Sequence, residues 1–145
     1  MKILGLDLGD QWIGIAISDA LGMFARPLKT VTPKALSATL TQLLREERIS
    51  AIVVGLPRTM KGTESEQTVK VLAQYEQLKA EFPAVTWALW DERLTSKRAQ
   101  SLSLEQGKKR TAEQKNMEHA VAAAFILQGY LDYQAVQKQK TEAEN

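Results

Sequence analysis

Cysteine is absent from the 145 residues, which excludes disulfides and thiolate-held metals and suits a reducing cytosol. Long apolar runs are absent too. The opening segment MKILGLDLGD carries one lysine and a short apolar run broken by Asp7, so it reads as neither a signal peptide nor a spanning helix. No later stretch has the length needed to cross a bilayer, and a cytoplasmic protein with no membrane partner is expected. Net charge is also scarce: a formal +2 is too small to diagnose a nucleic-acid partner. What remains is an ordinary globular composition, 44% hydrophobic and 25% charged, at a length near that of one domain. A single core over residues 1–136 is expected, with no second catalytic module. The polar, mixed-charge segment 137–145 is expected to be a disordered tail.

The distribution of charge says more than its sum. Arg93, Lys97, Arg98, Lys108, Lys109, Arg110 and Lys115 face only Glu105 and Glu113 across residues 93–115. Such a cluster suits several phosphates, or equally a solvated helix face followed by an exposed loop.

Periodicity organises the rest. Leu4, Leu6 and Leu8 alternate with Ile3, Gly5 and Asp7, and Ile13, Ile15 and Ile17 alternate with Trp12, Gly14, Ala16 and Ser18. These predict strands over 2–8 and 12–18, joined by a turn at Gly9–Gln11. A third strand is expected over 24–31, at an edge or beside a bulge because of Pro27. Leu36, Leu40, Leu43 and Leu44 recur at helical spacing after Pro33. Ala51–Gly55 reads as a strand buried on both faces. A loop over 57–65 leads to a helix over 65–81 with Val69, Leu72, Tyr75 and Leu78 inward. A strand over 85–90, a helix over 95–105, the basic loop 107–115 and a helix over 116–134 complete the order. Three antiparallel strands followed by alternating helices and strands predict an α/β fold. Its mixed five-stranded sheet would carry helices on both faces. Leu21, Met23 and Phe24 are either an exposed apolar patch or core.

Four places carry chemistry. Asp7 lies on a strand that otherwise reads as core, where a carboxylate costs several kcal/mol unless paired, protonated or bound to a cation. A turn-capping aspartate is the ordinary alternative. DLGDQWIG has the form D-x-G-x-x-x-x-G, whose glycines permit close backbone approach to a phosphate or metal-bound ligand. Asp91 and Glu92 follow the strand ending at Trp90, where α/β sheets open into ligand crevices. Their directions alternate, and Glu92 is favoured because Arg93 is free to hold Asp91 elsewhere. Local capping explains the pair equally simply. The only histidine, His119, stands beside Glu118 on the apolar last helix. The two point about 100° apart, so one of them lines a given cleft. The loop 55–63 offers Arg58 and Lys61 for phosphate, or is a plain connection with Thr63 or Ser65 as helix cap.

Taken together, DLGDQWIGIAISD, GLPRTMKGTES, DERLTSKRA and AAAFILQGYLD resemble the YqgF/RuvX family over residues 2–133. The resemblance implies an RNase H-like fold and a Holliday-junction-resolvase-like nuclease that trims the 5′ end of pre-16S ribosomal RNA in ribosome biogenesis. It implies three acidic positions: Asp7, then Glu92 or Asp91, and an aspartate on the last helix. That third position falls here on His119, a good ligand for Mn²⁺, a less natural one for Mg²⁺, or a general base. Glu118 is one residue away. The implied metal set is Asp7, Glu92 and His119, holding Mg²⁺ or Mn²⁺.

The expected chemistry is phosphodiester hydrolysis on structured RNA or branched DNA. Arg58, Lys61, Arg93, Lys97, Arg98, Lys108, Lys109 and Arg110 would grip the backbone, and ribosomal assembly proteins are partners to expect. The chain would act as a monomer, or as a homodimer if it cuts junctions symmetrically. Two rivals stand beside this reading. An actin-like phosphate-binding module would need a second, similar domain, and no internal repeat is present. A catalytically silent nucleic-acid-binding assembly factor is a serious alternative because His119 stands where the resemblance implies an aspartate.

Overall fold

Leu4 and Leu6 have no exposed surface, and neither do Ile13 and Ile15 on the neighbouring strand. The alternation read from the sequence thus places these side chains on one buried face. The computed structural model describes residues 1–58, 65–94 and 112–144. Its strands are β1 (Lys2–Asp7), β2 (Ile13–Ser18), β3 (Ala25–Val31), β4 (Ile49–Leu56) and β5 (Thr86–Asp91). They form one sheet in the order β3-β2-β1-β4-β5. The β1–β2 and β2–β3 pairs are antiparallel, whereas β1–β4 and β4–β5 are parallel. This is the mixed five-stranded sheet expected from the order of elements. Pro27 lies on edge strand β3, beside a register shift between Ile15 and Ala16 of its partner, where its missing N–H costs least.

One face of the sheet is covered by α1 (Leu36–Glu46) and α2 (Glu66–Glu81). Leu36, Leu40 and Leu43 from α1 join Val71, Tyr75 and Leu78 from α2 over Leu4, Leu6, Ile15, Ile17, Ile52 and Val54. The inward stripe of α2 differs from the expected one: Thr68 and Val71 are fully buried, while Val69 is 56% exposed. The cap sets this phase. The Ser65 hydroxyl accepts from the Thr68 N–H, and the Thr68 hydroxyl accepts from the Ser65 N–H. Thr68 also donates to the Pro57 carbonyl, which ties the helix start to the end of β4 and turns Thr68 inward.

The opposite face is covered by the long helix α3 (Ala112–Glu144), which packs on β1, β2 and β3. Ala123, Ile126, Leu127 and Leu131 meet Ala16, Val53 and Trp90 there. Small residues make this approach possible. A Cβ on Gly5 would stand 2.7 Å from the Leu127 Cβ, and one on Gly14 would overlap the His119 backbone carbonyl. α3 continues to Glu144, where a disordered polar tail was expected from 137. That segment lacks Gly and Pro and is rich in Gln, Lys and Glu, all compatible with helix. The expected helix over 95–105 and most of the basic loop lie outside the described residues.

Leu21, Met23 and Phe24 are exposed, so they are a surface patch and not core. Their turn is nonetheless fixed. The Asp19 carboxylate accepts the Met23 and Phe24 N–H groups, and these bonds lower its pKa. Gln128 of α3 accepts from the Ala25 N–H and donates to the Met23 carbonyl. Gly22, at φ +69°, supplies the left-handed corner.

Candidate active site

Asp7 ends β1, and Glu92 begins the short 3₁₀ turn Glu92–Leu94 directly after β5. Both therefore sit at the carboxyl edge of the parallel strands, where α/β sheets open to ligands. Because β4 lies between β1 and β5, the Glu92 side chain must cross β4 to reach Asp7. Gly55 of β4 leaves the gap: a Cβ there would stand 2.7 Å from Glu92 Oε1. The two carboxyl groups hydrogen-bond to each other.

The electrostatics follow from that contact. Burial raises the Asp7 pKa above its ordinary value, against the lowering effects of nearby His119 and the Glu92 hydrogen bond. Glu92 is pushed up to about 7, first by burial and then by the negative charges of Asp7 and Asp91. Burial and mutual repulsion thus favour one proton held by the pair over full ionisation. Full ionisation of the pair calls for a compensating cation.

Asp91 faces a different partner. Arg93 Nε lies 3.0 Å from each Asp91 carboxylate oxygen and Arg93 Nη2 lies 2.6 Å from Oδ2, while the Arg93 backbone N–H also donates to Oδ1. This grip, with Arg58 nearby, lowers the Asp91 pKa. His119 is placed by Gly14, which pairs with Asp7 across β1 and β2 and lets the helix backbone come down at that point. His119 is near enough to Asp7 to lower its pKa electrostatically. Glu118 is half-buried beside it.

The structure thus brings Asp7, Glu92 and His119 to one place and assigns Asp91 to Arg93. Arg58 lies at the mouth, close enough to act on Asp91. Lys61, Lys97, Arg98, Lys108, Lys109 and Arg110 lie outside the described residues. Gly14 and Gly55 shape the site without donating an atom to it, and sequence reasoning missed that role for Gly55. Its signal was a glycine within an otherwise apolar strand, which marks a close approach.

The donor set fits a hard divalent cation in part. Two adjacent carboxylates supply oxygen ligands of the kind Mg²⁺ or Mn²⁺ takes. No group of three His, Asp or Glu side chains at ligand spacing is found among the described residues. Among those residues no helix is long and apolar enough to cross a membrane.

Comparison with known proteins adds to this geometry. Solved structures of RuvC from Thermus thermophilus superpose with TM-scores of 0.55 and, for a complex with a Holliday junction substrate, 0.57. Each covers 92% of this chain and 96% of RuvC at 17% identity, which supports the shared RNase H-like fold. A protein of Rubrobacter xylanophilus is 40% identical over 90% of this chain and 92% of its own length. One of Thermoanaerobacter pseudethanolicus is 41% identical over 92% of this chain and 98% of its own. Both bear the name "Putative pre-16S rRNA nuclease". The family model described as "RuvX: Holliday junction resolvase" matches residues 1–133. With nearly the whole fold and the Asp7–Glu92–His119 cluster inside that match, the chain belongs to the RuvX family.

Proposed function

We propose that this protein is a divalent-metal-dependent nuclease that hydrolyses phosphodiester bonds at the 5′ end of pre-16S ribosomal RNA, in the cytoplasm. The observation that carries the reading is the Asp7–Glu92 pair: two hydrogen-bonded carboxyl groups at the ligand-binding edge of the sheet, both with raised pKa values. A structural carboxylate would be satisfied as Asp91 is, by a cation of the protein itself. Asp7 and Glu92 instead keep a proton between them, which a divalent ion would displace.

Asp7 and Glu92 would hold Mg²⁺ or Mn²⁺, and His119 stands beside them as a third ligand or as a base. A bound ion supplies a polarised water and charge neutralisation at the phosphate. The protein's own part is positional. Gly55 lets Glu92 reach Asp7, Gly14 seats His119 over the same spot, and Arg93 keeps Asp91 out of it. Arg58 at the mouth is a phosphate contact that gives affinity without reading sequence. The names of the relatives support precursor ribosomal RNA as substrate. The family description and the RuvC likeness support branched DNA as the alternative, which would call for a homodimer.

The test is cleavage of precursor 16S RNA and of a four-way DNA junction by purified protein with Mg²⁺ or Mn²⁺, beside Asp7→Asn. Cleavage of the RNA is expected, falling at least ~100-fold in the variant, as loss of a metal ligand requires. Equal cleavage by both proteins would remove Asp7 from the site. Binding without cleavage in either metal would make the chain a silent assembly factor.

A further inference from the structure

The three tryptophans divide into two kinds. Trp87 stacks edge-on against Tyr75 at 6.1 Å and donates its indole N–H to the Phe82 carbonyl. Trp90 is buried at the end of β5 and packs against Tyr130 and Tyr133 of α3. Trp12 is different: it is 40% exposed, with no ring or hydrogen-bond partner among the described residues. Part of the Trp12 ring is thus left open to water. Such a residue is a common constituent of binding surfaces.

Its place in the fold is specific. Asp7 pairs with Gly14, so Trp12 lies two residues beyond that pair, on the hairpin turn that leaves β1 at Asp7. Ile13 points into the aliphatic core and Gly14 lies under the His119 carbonyl. Trp12 stands immediately before β2, at the end of the strand pair where Asp7 leaves β1. Two residues of strand span about 7 Å, the rise of roughly two stacked nucleotides. The turn that carries Trp12 is closed tightly, because a Cβ on Gly9 would stand 2.5 Å from the Trp12 carbonyl oxygen. Lys70 of α2 reaches Asp10 in the same turn at 3.6 Å. The backbone is thus held close while the indole remains open.

We infer that Trp12 is a stacking platform for an unpaired nucleobase one or two nucleotides from the scissile phosphate. The substrate class is then a nucleic acid that is single-stranded or unstacked beside the cut, and not a continuous duplex. Stacking suits this position because every base has a π-face, so the contact selects for strand state without reading sequence. Arg58 would hold phosphate at the mouth while Trp12 holds a base at the rim. The inference rests on the nuclease reading for the position of the cut, but its test does not require cleavage.

The test measures binding to fluorescently labelled single-stranded RNA and to the matching duplex, in an Asp7→Asn background that keeps the strand intact. Trp12→Ala is expected to weaken single-strand binding about tenfold and duplex binding little, with Trp12→Phe retaining most of the affinity. A set of RNAs with one base removed at successive positions locates the contact. The parent is expected to lose affinity at one or two positions only, and Trp12→Ala to be insensitive there. Equal loss on single strand and duplex, or the same abasic profile in both proteins, would overturn the platform, as would no nucleic-acid binding at all. Thermal melting of Trp12→Ala within a few degrees of the parent excludes a folding defect. If the abasic signature appears while the Asp7-intact protein cleaves nothing, the platform stands and the nuclease reading falls. If cleavage proceeds and the signature is missing, the reverse holds.

Discussion

The two faces of the sheet are built on opposite principles. The face under α1 and α2 is filled by large aliphatic side chains: Leu4, Leu6, Ile13, Ile15, Ile17, Ile52 and Val54. The face under α3 presents Gly5, Gly14, Ala16, Val53 and Gly55. On the first face, volume is the requirement, and stability comes from apolar area removed from water. On the second, emptiness is the requirement, because the backbone of α3 and the Glu92 side chain occupy space where Cβ atoms would otherwise be. The carboxylates stand at the edge of the second face. One face holds the protein together, and the other brings distant residues within reach of each other.

This contrast can be broken from either side. Gly14→Ala puts a methyl group into the His119 carbonyl, so the helix must lift. The expected loss is about 3 kcal/mol or more, at the upper end of overpacking effects. Cleavage should disappear even at temperatures where circular dichroism shows a folded chain. A variant with normal activity would show that the position of α3 is not what assembles the site. Leu40→Ala on the aliphatic face should cost a comparable ~2–5 kcal/mol. Its kcat well below the melting temperature should match the parent, because α1 packs on the face of the sheet opposite α3; a fall in kcat with the fold intact would couple the faces.

A smaller effect is expected from Glu92→Gln, measured by melting in EDTA across pH. Glu92 has a folded pKa of about 7 against an ordinary 4.5, so between those values the folded chain holds more protons than the unfolded one. Stability is therefore fully present at the acid end and falls as pH rises from about 4.5 to 7. Asp7 shifts in the same direction. Glu92→Gln removes part of this slope. The variant should gain on the parent as pH rises, reaching roughly 3 °C above pH 7, the shift produced by about 1 kcal/mol after solvent screening. Mg²⁺ or Mn²⁺ should raise the parent's melting temperature at pH 8 and leave the variant nearly unchanged. Parallel pH curves would mean that Glu92 is not held protonated.

The smallest effect belongs to Arg58→Ala. Nucleic-acid affinity should fall a few-fold, and the salt dependence of log K should lose about one unit of slope. Stability should stay within ~0.5 kcal/mol of the parent, since the side chain is exposed. An unchanged salt slope would remove Arg58 from the phosphate path.

Much of this was legible in the sequence because periodicity is a local property. Period-two alternation of Leu and Ile gave the strands and their buried sides, and leucines at helical spacing gave α1. Asp7 stood out as a carboxylate in a strand otherwise suited to burial. The inward stripe of α2 was misread because Val69 and Thr68 differ by one residue, and the cap on Ser65 and Pro57 settles which one turns inward. Hydropathy favours valine; the hydrogen bonds favour threonine.

By itself, the sequence determined which residues alternate, which elements they form, and that Asp7, Asp91, Glu92 and His119 were the groups to watch. Only the tertiary structure decided which of them meet. Glu92 lies 85 positions from Asp7 in the chain and two strands away in the sheet, and it arrives only because β4 has a glycine at 55. Asp91 is withdrawn by a guanidinium two residues along. His119 reaches the place because Gly14 lets a helix backbone rest on the sheet. Each of these depends on space between elements far apart in the chain, and that space has no local pattern.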